Sequence, residues 1–143
     1  MDIIVCRIKY PNDPTHNTQA HQHFVGTFDS DSLILYSISS INGKFDRVYD
    51  KNGDINEDIY VIGGDMFKKC KLKWPSFIDC AKSYRLNLDG SFDVKKLDNR
   101  TMPQAIVDGI NENIARLKKA GKHIEYFIDE KEFKRLNYKC VIR

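Results

Sequence analysis

No segment of this chain approaches the roughly 20 consecutive apolar residues that a helix needs to cross a bilayer, so an integral helical membrane protein is not expected. The opening stretch MDIIVCRIKYPND lacks a basic region followed by a long apolar core. Signal-peptide secretion is therefore not expected, and the cytoplasm is the expected compartment. The four cysteines, Cys6, Cys70, Cys80 and Cys140, form no C-x-x-C pair and no zinc-ribbon spacing. Each lies in or beside an apolar stretch and reads as a small buried hydrophobe, with a disulfide or thiol role as the alternative. A Gly-x-Ser-x-Gly elbow is missing, which argues against a hydrolase-type serine nucleophile. Internal repeats and low-complexity linkers are missing too.

What is present is the make-up of a folded domain. The 143 residues are 41% hydrophobic and 30% charged, which suits one globular unit spanning 1–143, strand-rich over 1–98 and helical over 101–137. Net charge is only +3, but it is segregated: KKCKLKW (68–74) and RLKKAGKH (116–123) are basic, whereas DKNGDINED (50–58) is acidic. Segregated positive charge is the footprint of a protein that meets phosphates, against the alternative of an ordinary solvated surface.

Along the chain, DIIVCRIK reads as a strand rich in β-branched residues, and YPNDPTHNTQA as a loop. HQHFVGTF and SLILYSISS flank the short DSD connection of a β-hairpin. INGKFDRVYDKNGDINED, with Asn-Gly twice, reads as a long excursion. IYVIGG and SFIDCAKSYRLNL read as strands, and Asp89-Gly90 as a hairpin turn leading into a strand SFDVKKL. At Thr101 the period changes. TMPQ fits a capping box, Ile106, Ile110, Ile114 and Leu117 form a helical stripe, and Gly121 closes the helix. A last helix starts at Asp129. The expected fold class is α+β: a small, strongly curved antiparallel sheet or half-open SH3-like barrel, with C-terminal helices packed against it.

The chemistry concentrates in residues 21–44. His21 and His23, two apart on a strand, project from one face and suit proton transfer near neutral pH. Ser39 and Ser40 end the next strand, where hydroxyls can donate to a phosphate, and Lys44 can bring a positive charge to the same place. The alternatives are a polar strand rim, turn chemistry for the serines, and a metal site made by the histidines with His16 and Asp13. Lys68, Lys69, Lys71 and Lys73 alternate with aromatics including Trp74, a combination that suits single-stranded RNA, although strand aromatics commonly serve the core.

The order HFVG, short turn, LILYSISS and later WPSFIDCAK resembles the PemK/MazF superfamily of endoribonuclease toxins. FVG at 24–26, the paired hydroxyls followed by a lysine, and the late helix IVDGINENIARLKKAG are similar to the type III, ToxN/CptN-like branch. The resemblance covers most of the chain in order of elements and few identities. The lysine frequent at the second strand's start is replaced by His21, Gln22 and His23, and Ser-Ser stands where Thr-Ser is frequent.

The resemblance implies a metal-independent endoribonuclease with no cofactor, cutting single-stranded RNA by 2′-hydroxyl attack. It implies catalysis by His21, His23, Ser39, Ser40 and Lys44. Bound RNA would lie along Lys68, Lys69, Lys71, Lys73 and Trp74, and along Arg116, Lys118, Lys119 and Lys122. The implied partners are cellular RNA targets and a repeat-derived antitoxin RNA that the toxin itself processes, with a closed oligomer with RNA as one possible arrangement and no membrane. The alternatives are a PemK/MazF-type toxin held by a protein antitoxin, and a non-catalytic RNA-binding module.

Overall fold

The computed structural model describes residues 1–15 and 17–142. Among them run the strands β1 (Ile3–Arg7), β2 (Ala20–Phe28), β3 (Ser32–Ser40), β4 (Ile59–Ile62), β5 (Ser76–Asp79), β6 (Lys82–Asn87), β7 (Asn99–Arg100) and β8 (Ile124–Phe127). The helices are the single turns α1 (Phe45–Val48) and α2 (Met66–Lys69), the long α3 (Gln104–Lys119) and the shorter α4 (Glu130–Leu136). The fold is α+β. The strands make one sheet in the order β4-β5-β3-β2-β1-β7, with β6 continuing β5 along β3 and β8 pairing β6. Among the described residues β4, β7 and β8 are edges, so the sheet does not close. Its pairings are antiparallel except for the parallel β6–β8 pair.

The β2–β3 hairpin sets the frame of the molecule. Asp29 Oδ1 accepts from the backbone N–H groups of Asp31 and Ser32, both at 2.9 Å, so the DSD connection is an Asx-type turn. From Phe28↔Leu33 the register steps by one residue between Thr27 and Val25, a bulge centred on Gly26. A Cβ on Gly26 would sit 2.6 Å from Tyr36 Cε1, which is why only glycine fits this close approach. Above the bulge the pairing ends at His23↔Ser37. There the two strands part. Residues 20–22 stay with β1, through Ala20↔Arg7 and Gln22↔Val5, while residues 38–40 pair with β5. The segment 76–87 follows β3 with a break at Cys80-Ala81 that separates β5 from β6.

Both faces of the sheet are covered. The Ile106, Ile110, Ile114 and Leu117 stripe of α3 buries against Phe24, Tyr36, Ile38 and Ile78, as its spacing predicts. On the other face Ile4, Cys6, Leu33, Leu35 and Tyr84 pack with Ile128 and with Phe133 of α4. A small third cluster joins Val48 of α1 to Ile59 and Phe77.

Several local expectations are corrected. Thr101 does not cap α3: Pro103 occupies the N-cap position in extended backbone, and no side chain caps the helix. The end at Gly121 is as expected, with φ +70. Gly121 N–H donates to Lys118 C=O at 3.1 Å and Lys122 N–H to Leu117 C=O at 2.9 Å, a Schellman closure. The SFDVKKL stretch forms a short 3₁₀ turn at Val94–Lys96, with Asp93 accepting from Lys95 N–H, rather than a strand. The 101–137 region also contains β8, because the turn after α3 returns the chain along the free side of β6. The excursion after Ser40 contains α1.

Candidate active site

A cavity of about 370 Å³ opens on the sheet face away from α3, beside the parting of β2 and β3. Alternation along β3 sends Ser37 and Ser39 to the face that holds Leu33 and Leu35 nearer the turn. His21 on β2, Ser37 and Ser39 on β3 and Tyr84 on β6 line the cavity. Lys44 and Arg47 come from α1 and its N-terminal flank, Tyr10, Asn12 and Asp13 from the loop after β1, and Asp79 and Lys82 from either side of the β5–β6 break. His21 is exposed, and Ser39 and Lys44 are half-buried. An accessible imidazole, two serine hydroxyls and three cationic side chains thus share one polar hollow.

His23 is corrected as a member of this set, because its ring is completely buried and lines neither this cavity nor the one beside it. His23 Nδ1 lies 3.1 Å from His21 C=O, which can only accept, so Nδ1 carries the proton. Nε2 then accepts from the Tyr10 hydroxyl, and Cys6 Sγ lies 3.5 Å from Nδ1. Burial, with the nearby His21 charge adding to it, pushes the His23 pKa down to about 3. The ring is a neutral strut that holds Tyr10 at the cavity wall.

Ser40 is absent from this cavity and lines the one beside it, together with His21 and Ser39. It is adjacent to Ser39 on an extended strand, so the two side chains leave opposite faces. Its hydroxyl accepts from Asn42 N–H at 3.2 Å, closing the turn after β3. This is the turn chemistry weighed as the alternative.

Asp79, Arg47, Tyr10 and Ser37 are site residues that the sequence reading did not single out. Asp79 is buried, and its Oδ1 accepts from Ala81 N–H at 3.1 Å. Arg47 Nη2 lies 3.7 Å from its Oδ2, with the guanidinium also 5.0 Å from the Phe77 ring centroid. Burial raises the Asp79 carboxyl, opposed by the Ala81 N–H and the Lys82 and Arg47 charges. The Ser-x-Ser spacing at 37–39 was the available signal for Ser37. Asp79 and Arg47 meet across the fold and left no local mark.

A second cavity, of about 220 Å³, adjoins the first and shares His21 and Ser39 with it. Ala20, Gln22, Ser40, Leu72, Lys73 and Trp74 also line it. Trp74 is 51% exposed, and Lys73 Nζ lies 5.5 Å from its ring centroid. Lys68, Lys69 and Lys71 are exposed on and just after α2. The other expected RNA-facing group lies at the end of α3 and lines neither cavity. Lys118 and Lys119 are exposed there, but Lys122 pairs with Glu57, and Arg116 Nη1 lies 3.7 Å from the same carboxylate.

Among the described residues no three His, Cys, Asp or Glu side chains converge as a metal site. His16, one of the alternative ligands, lies outside the described residues. No helix among the described residues is long and apolar enough to cross a membrane. The sequence matches no protein-family model and no curated protein.

Proposed function

We propose that this protein is a metal-independent endoribonuclease of the toxin class, and within that class a ToxN/CptN-like toxin neutralised by its own repeat RNA. The observation that carries the enzymatic part is the single cavity shared by His21, Ser39 and Lys44 with Arg47 and Lys82. The assignment to the toxin branch rests on the resemblance of HFVG, LILYSISS and the late helix. On the same reading, the open helix-flanked sheet is a half-open SH3-like barrel.

In the proposed reaction His21 accepts the proton of an RNA 2′-hydroxyl, whose oxygen attacks the adjacent phosphorus. Lys44, Arg47 and Lys82 surround the non-bridging oxygens as negative charge grows there, and the Ser39 hydroxyl donates to one of them. The P–O5′ bond breaks, and the leaving oxygen takes a proton from a lysine ammonium or from water. The products are a 2′,3′-cyclic phosphate and a 5′-hydroxyl. His23 takes no part in proton transfer in this scheme; it holds Tyr10.

The test is cleavage of single-stranded RNA by purified protein in excess EDTA, with the ends identified chemically. Cleavage to cyclic phosphates, reduced by Ser39→Ala, supports the reading. RNA that shifts in a gel but stays intact overturns it in favour of a binding module. Growth arrest relieved by the flanking repeat transcript alone supports the RNA-neutralised branch, and relief that needs a translated product moves the protein to the PemK/MazF type.

A further inference from the structure

We infer that the outer edge of β8 is a self-association surface, at which two copies of this chain pair antiparallel about a two-fold axis through Tyr126 and join their sheets. The inference stands apart from the nuclease reading. Among the described residues, the edge strand β7 has only two residues. The edge of β4 is partly occupied, with Asn113 Nδ2 donating to Ile59 C=O at 3.2 Å. β8 is different, because it runs beside β6 without a bulge and contains no proline. Ile124 N–H donates to Ala81 C=O and Ile128 N–H to Arg85 C=O, both at 2.8 Å, so the even-numbered residues hold β6. The backbone groups of Glu125 and Phe127 therefore point outward, and the side chains of Ile124 and Phe127 are large, apolar and exposed. Such an edge is a template for another strand, and native folds guard it when it has no use.

Charge along the edge selects a second copy as the occupant. Lys122, which also pairs Glu57, and His123 precede β8, while Asp129 and Glu130 follow it. An antiparallel copy sets each basic end beside the other's acidic end. A two-fold axis normal to the sheet keeps the faces, so opposed residues share a face and one residue must meet itself. Centring on Glu125 sets that carboxylate against its own copy, and centring on Phe127 sets Glu125 against Asp129. Centring on Ile124 leaves a short ladder, because Lys122 N–H already turns back to Leu117 C=O. Centring on Tyr126 sets Ile124 opposite Ile128 of the second copy, Glu125 opposite Phe127, and His123 opposite Asp129. No like charges then face each other, and Glu125 and Phe127 exchange both backbone hydrogen bonds on either side of the axis. Because faces are kept, the two candidate cavities, each lined by Lys82 and Tyr84 of the adjoining β6, open on one side of the joined sheet.

Analytical ultracentrifugation of the purified full chain, treated with added ribonuclease and held in high salt, tests the pairing. The mass is expected to rise from 16.6 kDa toward twice that value between about 1 and 500 μM, the range of a small interface. Phe127→Pro removes an N–H that β6 does not use, and should raise the dissociation constant at least about tenfold, the scale of the two backbone bonds lost. Tyr126→Cys should oxidise to a disulfide-linked dimer, since a residue that meets itself in a non-hydrogen-bonded pair has Cα atoms about 4.5 Å apart. Phe127→Cys, offset from its own copy, should not, and the four native cysteines are buried. The mass series on the unaltered chain and the cysteine pair keep the test valid if Phe127→Pro does not fold. A chain that stays monomeric, or a dimer untouched by a folded Phe127→Pro, overturns the inference. So does cross-linking at 127 in place of 126, or a mass that climbs past the dimer. An assembly that ribonuclease dissolves is bridged by RNA and overturns it as well.

Discussion

The two lysine-rich segments look alike in the sequence and differ in the fold. Residues 68–74 border the splayed end of β2 and β3, where Lys73 and Trp74 line a cavity continuous with the candidate site. At the end of α3 the positive charge is met by the acidic excursion instead. Glu57 pairs with both Arg116 and Lys122, and Arg116 Nη2 donates to Glu57 C=O at 2.5 Å. Like clusters therefore carry unlike fields, because the counter-charge comes from a segment some sixty positions away. The difference teaches that a basic run counts toward phosphate binding only after its acidic neighbours in space are known.

The largest effect should fall at the splayed end. His21→Ala is expected to lower RNA cleavage at least about a hundredfold with the fold intact by circular dichroism, the low end for loss of a proton-transfer group. Lys119→Ala at the other end should leave the rate nearly unchanged. Equal losses would erase the contrast.

Next comes acid sensitivity beneath the same end. His23 resists protonation until about pH 3 in the fold, against 6.5 for an ordinary histidine. The unfolded chain binds the proton first, so this contribution to stability is complete above pH 6.5, falls as pH drops below it, and is exhausted near 3. The loss should be about 2 kcal/mol at pH 5, read from urea midpoints. The raised Asp79 carboxyl works in the opposite sense, favouring the fold as it takes up a proton, so His23→Gln is the needed control. A pH 7-to-5 loss that survives in His23→Gln would assign the effect elsewhere.

A smaller change is expected in salt dependence. Lys71→Gln with Lys73→Gln should flatten the log–log salt slope of RNA binding by about 1.4, if each lysine meets one phosphate of a single strand. Lys118→Gln with Lys119→Gln should change it less. The smallest effect on stability belongs to Glu57→Gln, whose exposed ion pairs are screened by solvent. It should nevertheless strengthen RNA binding a few-fold by freeing Arg116 and Lys122. No gain in affinity would show that Glu57 is not what separates the two clusters.

Local signals were legible where the chain interacts with near neighbours. The DSD turn, the buried stripe of α3 and the glycine closure at 121 all follow from short-range chemistry. The same alternation rule that put His21 and His23 on one face also separates Ser39 from Ser40. What escaped notice depends on distant partners. His23 is sealed because Tyr10 folds over it, Asp79 finds Arg47 across the fold, and β8 needs the side of β6. β8 is largely exposed, so no apolar alternation marked it. Thr101 looked like a cap because its neighbours fit the pattern, yet the extended backbone at Pro103 moved the helix start past it.

The single extra residue at Gly26 acts as a phase setter for the strand that carries the imidazole. With uniform pairing from Phe28↔Leu33, His23 would face Ile38 and Phe24 would face Ser37, exchanging the greasy and the wet sides of residues 20–25. A deletion there cannot shift the site gradually. It either restores the offset or turns the whole strand inside out.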